Sequence, residues 1–157
     1  MNARGWHRRV VACVCLIALT ATLSGCEQVL PNTGNVSISR DGDALFITFC
    51  DAVSLDKILV ETAHRGWGAD GFVQTAYIAQ VGARVSRGFV LRTDSDVDGV
   101  DVTLRSDLRL DEANEISVTG SSDVPGESVS VVFDLDSNAL PVEGWLRPDG
   151  SVSDEAC

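Results

Sequence analysis

"ESVSVVFDL", Glu127 to Leu135, is the stretch on which the fold turns. Val129, Val131, Phe133 and Leu135 occupy alternate positions, with Ser128, Ser130 and Asp134 on the opposite ones. A period of two sends successive side chains to opposite faces of an extended chain. The stretch therefore reads as a strand with one face in a core and the other toward water.

The same period recurs on both sides of it. Val36 and Ile38 alternate with Ser37 and Ser39. "ALFITFC", residues 44 to 50, follows an Asp41-Gly42-Asp43 turn and is apolar on both faces, which marks a central strand. "KILVETAHR" (57–65), "GFVLR" (88–92), "GVDVTLR" (99–105) and "EISVTG" (115–120) continue the series. In "GVDVTLR", Val100, Val102 and Leu104 are expected inward and Asp101, Thr103 and Arg105 outward. "GFVQTAYIAQVGARV", 71 to 85, is ambiguous: Val73, Thr75, Tyr77 and Ala79 share a strand face, while Phe72, Ala76 and Ala79 share a helix side. It is read as a strand, with a short helix as the alternative. Turn signals such as Gly66-Trp-Gly-Ala-Asp-Gly71, Asp98-Gly99 and Pro125-Gly126 separate the runs.

Short strands at this spacing imply an all-β chain: a single sandwich of about seven to eight strands over residues 36–157. The pattern, with a cysteine closing the second strand, is similar to immunoglobulin- and fibronectin-III-like sandwiches. The Cys…Trp…Cys arrangement of true immunoglobulin domains is lacking.

The N-terminus has a different character. Arg4, Arg8 and Arg9 precede an uncharged run from Val10 to Leu23. Fourteen residues are too few for a membrane-spanning helix and suit a signal-peptide core. Leu23-Ser24-Gly25-Cys26 then resembles the lipobox of bacterial lipoproteins. That resemblance covers the first 26 residues. It implies cleavage after residue 25 and acylation of Cys26, with 26–35 as a short tether broken by Pro31 and Gly34. Two acyl chains hold a protein on a membrane stably, each buried methylene contributing about 0.8 kcal/mol.

Removal of residues 1–25 takes three arginines and no acid, leaving nine basic against 23 acidic residues, a net charge of −14. Such a surface argues against nucleic acid or anionic head groups as electrostatic partners. Of five cysteines, Cys13 and Cys15 leave with the signal and Cys26 is acylated. Cys50 and Cys157 remain as an even pair in an oxidising setting, and are expected to form a disulfide.

Candidate chemistry is sparse. His64, the single histidine after residue 25, has no nucleophile motif with it and reads as a strand-end residue. Trp67, between glycines, is a candidate partner-binding aromatic, and Trp145 reads as core. "TDSDVDGVDVT" (93–103) places Asp94, Asp96, Asp98 and Gly99 at the first, third, fifth and sixth positions of a calcium loop, with the Val100 carbonyl as a further ligand. The twelfth position is Arg105 where calcium needs a glutamate, so a hairpin turn is the main reading and weak calcium binding the lesser one.

The sequence thus leads to a lipid-anchored, extracytoplasmic, non-enzymatic binding or structural module of the bacterial cell envelope. It would be held on the cell membrane, would have no obligate cofactor, and could have an envelope protein as partner. The alternative is a cation- or small-ligand-binding subunit of an envelope complex.

Overall fold

The computed structural model describes residues 32–64, 72–136 and 138–157. Every regular element there is a strand: β1 Val36–Asp41, β2 Ala44–Phe49, β3 Val53–His64, β4 Phe72–Val85, β5 Phe89–Arg92, β6 Asp101–Arg105, β7 Glu115–Ser121, β8 Val129–Asp134, β9 Trp145–Leu146 and β10 Val152–Ser153. The ambiguous stretch is the long strand β4.

Two antiparallel five-stranded sheets result, ordered β10-β9-β1-β2-β5 and β6-β4-β3-β7-β8. Val36, Ile38, Leu45, Ile47, Phe49 and Leu91 of the first sheet form one buried cluster with Ile58, Val60, Ile116, Val118, Val131 and Phe133 of the second. Each of these side chains is at most 2 % exposed. Burial of a large apolar side chain contributes about 1.5–3 kcal/mol, so this layer is the main source of stability. The inner order, β1-β2-β5 facing β8-β7-β3-β4, is the A-B-E and G-F-C-C′ order of an immunoglobulin-like sandwich. It departs from that pattern in two additions: β6 extends the second sheet beyond β4, and the β9–β10 pair extends the first beyond β1.

Bulges account for what a strict period misplaces. Between Leu55 and Lys57 the register of β3 on β4 shifts, and Gly82 lies opposite that shift at φ +58°, a left-handed conformation that glycine adopts without strain. A second shift lies where β4 pairs with β6. Ile78 faces Leu104, yet Ala79 faces Val102, so Thr103 is an extra residue. One inserted residue reverses the faces. Leu104 is therefore 36 % exposed and not inward as the alternation predicts, while Val102 packs partly against the core.

The last residues of the expected tether are hydrogen bonded to the sandwich. Thr33 exchanges both backbone bonds with Ser130, at 2.8 and 2.9 Å, and Asn32 Oδ1 accepts from Val132 N at 3.0 Å. They occupy the free edge of β8, which would otherwise offer unpaired backbone groups.

Candidate functional site

The acidic stretch begins where β5 ends. Thr93 is buried, and fixes the start by two bonds to Leu45: its N donates to Leu45 O at 3.1 Å, and its Oγ1 accepts from Leu45 N at 3.0 Å. From there the chain leaves the first sheet for β6 in the second. The hairpin reading is thus corrected: β5 and β6 lie in different sheets, and residues 93–100 are a crossover between them. Its apex is a turn in which Val100 N donates to Val97 O at 3.0 Å, with Gly99 at φ +78°. Val97 and Val100 pack partly against the core, while Asp94, Asp96, Asp98 and Asp101 are exposed. Two requirements meet here: the valines cover the side of the sandwich, and the acids keep the cover in water.

Arginines flank the same loop. Arg92 donates to Asp94 twice, from Nε at 3.0 Å and from Nη2 at 2.9 Å, and its guanidinium stands 4.5 Å from the centre of the Phe46 ring. This hydrogen bonding holds the Asp94 carboxyl below its ordinary pKa. Arg105 Nη2 donates to Asp96 Oδ1 at 2.8 Å and to Ser95 O at 3.0 Å. At the position where a calcium loop carries its bidentate glutamate, this loop carries the cation itself. Asp94, Asp96 and Asp98 form no metal-holding group, and among the described residues no cluster of three or more His, Cys, Asp or Glu side chains does. Tyr77 is buried behind Arg105. Its hydroxyl pKa is raised by burial, against a smaller opposing effect of the Arg105 charge.

His64 is buried, with Nδ1 3.0 Å from the Glu112 carbonyl and Nε2 3.3 Å from Thr62 Oγ1. A carbonyl only accepts, so Nδ1 donates to Glu112 O. The pair fastens the β6–β7 connection under the end of β3. Trp145 is half-buried on β9, next to the core residue Leu146. Trp67 and Cys26 lie outside the described residues.

At the other end of the sandwich, Cys50 and Cys157 form a disulfide with Cα atoms 5.2 Å apart and a sequence separation of 107. Cys50 directly follows β2. Its Sγ lies 3.9 Å from Ser37 Oγ and 3.2 Å from the Ala156 carbonyl oxygen. Arg147 Nη2 holds the same terminal segment, donating to Ser153 Oγ at 3.1 Å and to the Glu155 carbonyl at 3.2 Å. Gly144, at φ +86°, lets β10 approach: a Cβ there would stand 2.9 Å from the Ser153 carbonyl oxygen.

One tertiary contact carried no sequence signal. Glu127 accepts from Ser54 N at 2.6 Å and takes Arg84 Nη1 on both oxygens at 3.0 Å. Its pKa is lowered to about 2, first by the Ser54 backbone bond and then by Arg84. Glu115 shows the opposite effect. Burial raises its pKa, and so do Asp134, its cross-strand partner, and Asp136.

The described chain is thus an immunoglobulin-like sandwich closed by a disulfide, with an acidic, arginine-paired side cover. No protein-family model matches it, and neither characterised proteins nor solved structures give a match.

Proposed function

We propose that the protein is a lipid-anchored module on the extracytoplasmic face of a bacterial cell membrane, with a binding or structural role in the envelope and no catalytic one. The observation that carries this reading is the Leu23-Ser24-Gly25-Cys26 box behind a basic segment and a 14-residue apolar run. The disulfide supports it, since such bonds persist in exported compartments. The strongly acidic surface supports it as well: a solvated, negatively charged domain stays off anionic head groups and leaves membrane attachment to acyl chains.

Metabolic labelling with a fatty acid tests the reading, combined with fractionation of cells producing the wild type or Cys26→Ser. The wild type is expected in membranes and labelled, and the variant unlabelled. A wild type that carries no lipid overturns it.

A further inference from the structure

We propose that Cys157 is a site of thiol–disulfide exchange, and that its partner is a dithiol–disulfide oxidoreductase. The proposal rests on the geometry of the disulfide and not on the lipobox.

The two half-cystines differ in access. Cys50 is 2 % exposed at the end of β2, between Ser37 and the Ala156 carbonyl, whereas Cys157 is exposed. Exchange requires a thiolate to reach one sulfur of the bond, and the sulfur that is attacked decides which cysteine enters the mixed disulfide. With Cys50 buried and Cys157 an exposed residue, we assign that sulfur to Cys157.

The segment carrying Cys157 is built to come away. Beyond Ser153 it belongs to no strand, and Arg147 with the disulfide holds it down. The first sheet has polar residues buried on its outer face here: Ser37 is 0 % exposed and Thr48 1 %, and Thr48 Oγ1 has no hydrogen-bond partner. No residue of the segment belongs to the core cluster, so its release leaves that cluster closed.

The balance is complete in both directions. In closing, the Cys157 thiolate attacks one sulfur of the partner's disulfide. Cys157–S–S–partner forms, and the partner's other sulfur leaves as a thiolate. The Cys50 thiolate then attacks Cys157 Sγ and expels the partner's remaining sulfur. Two electrons pass to the partner, and the two thiol protons pass to the partner thiolates or solvent. In opening, a partner thiolate attacks Cys157 Sγ and Cys50 leaves as a thiolate that takes a proton. The partner's second thiolate then frees Cys157. Asp154 and Glu155 stand just before the attacked residue, so anionic thiols are repelled over about a Debye length, roughly 8–10 Å at moderate salt.

The test uses the full oxidised chain. A short pulse of cysteamine at about pH 8.5, near the thiol pKa, is followed by acid quench, alkylation and peptide mapping. The expected product carries cysteamine on Cys157 and the alkyl group on Cys50, in about tenfold or greater excess over the reverse. Equal labelling, or cysteamine mainly on Cys50, overturns the proposal. Mercaptoethanesulfonate, an anionic thiol, should react more slowly than cysteamine at low salt, with the gap closing at high salt. A gap that is absent or reversed overturns the charge argument. With an oxidised thioredoxin-type enzyme, and with Cys13, Cys15 and Cys26 replaced by serine in both variants so that no other thiol competes, reduced Cys50→Ala should accumulate a mixed disulfide and Cys157→Ala should not. Trapping by Cys157→Ala to the same extent also overturns the proposal.

Discussion

Glu127 ties three parts of the second sheet together with one carboxylate: the start of β3 through Ser54, the end of β4 through Arg84, and the connection entering β8 on which it sits. The sign of its pH dependence follows from its lowered pKa. Its folded value is about 2 against an ordinary 4.5, so the folded state binds its proton less readily than the unfolded chain does. The stability it contributes is fully present above the ordinary value and is lost as pH falls toward the folded one. Glu127→Gln should therefore lower the urea midpoint at pH 7, and the difference from wild type should shrink progressively between about pH 4.5 and pH 2. Parallel urea titrations at several pH values measure it. A difference that stays constant across that range would mean the charge of Glu127 has no part in holding the strands.

At the scale of elements, residues 93–100 show how much was legible. The alternation of valine and aspartate is visible in the sequence and survives in the structure, valines inward and acids outward. Arg105 was also visible as the wrong residue for calcium, but its role was not: that it reaches Asp96 depends on β6 pairing with β4 in a sheet β5 does not join. Position in a sheet is a long-range property that local period does not encode. The same limit explains Leu104, turned outward by an extra residue that leaves no mark in composition. The strands themselves, and the pairing of Cys50 with Cys157, follow from short-range alternation and from elimination, and both were readable. For the loop, the arginine pairing has a measurable consequence. A calcium ion at Asp94 and Asp96 has to displace two guanidinium groups, so isothermal titration should show no saturable binding below about 1 mM, the weak extracellular range. Asp96→Asn with Asp98→Asn should leave that result unchanged and move stability by no more than about 0.5 kcal/mol, as exposed surface substitutions do. Saturable heat that the double variant abolishes would restore the metal reading.

For the whole molecule, the disulfide spans nearly the entire described chain, joining the end of β2 to residue 157 across 107 positions. Two mechanisms of stabilisation are open to it, and they differ in size. If it acts on the unfolded chain, closing a loop of this length removes enough conformational freedom to contribute up to about 4–5 kcal/mol. If it acts only as a fastener for residues 153–157, its removal frees a segment that lies outside the core cluster, and the loss is of the order of 1 kcal/mol. The large and mutually buried core cluster does not include either cysteine, so the sandwich should form without the bond in both cases. The structure favours the larger effect, because the bond links the second strand to the end of the chain and therefore constrains nearly every intervening residue when the core opens. Cys50→Ala with Cys157→Ala should keep the far-ultraviolet signature of a β-sheet, lose several kcal/mol in urea unfolding, and show a steeper dependence on urea, since an unconstrained unfolded chain exposes more surface. A loss near 1 kcal/mol with an unchanged slope would show instead that the bond holds down the terminal segment and little else.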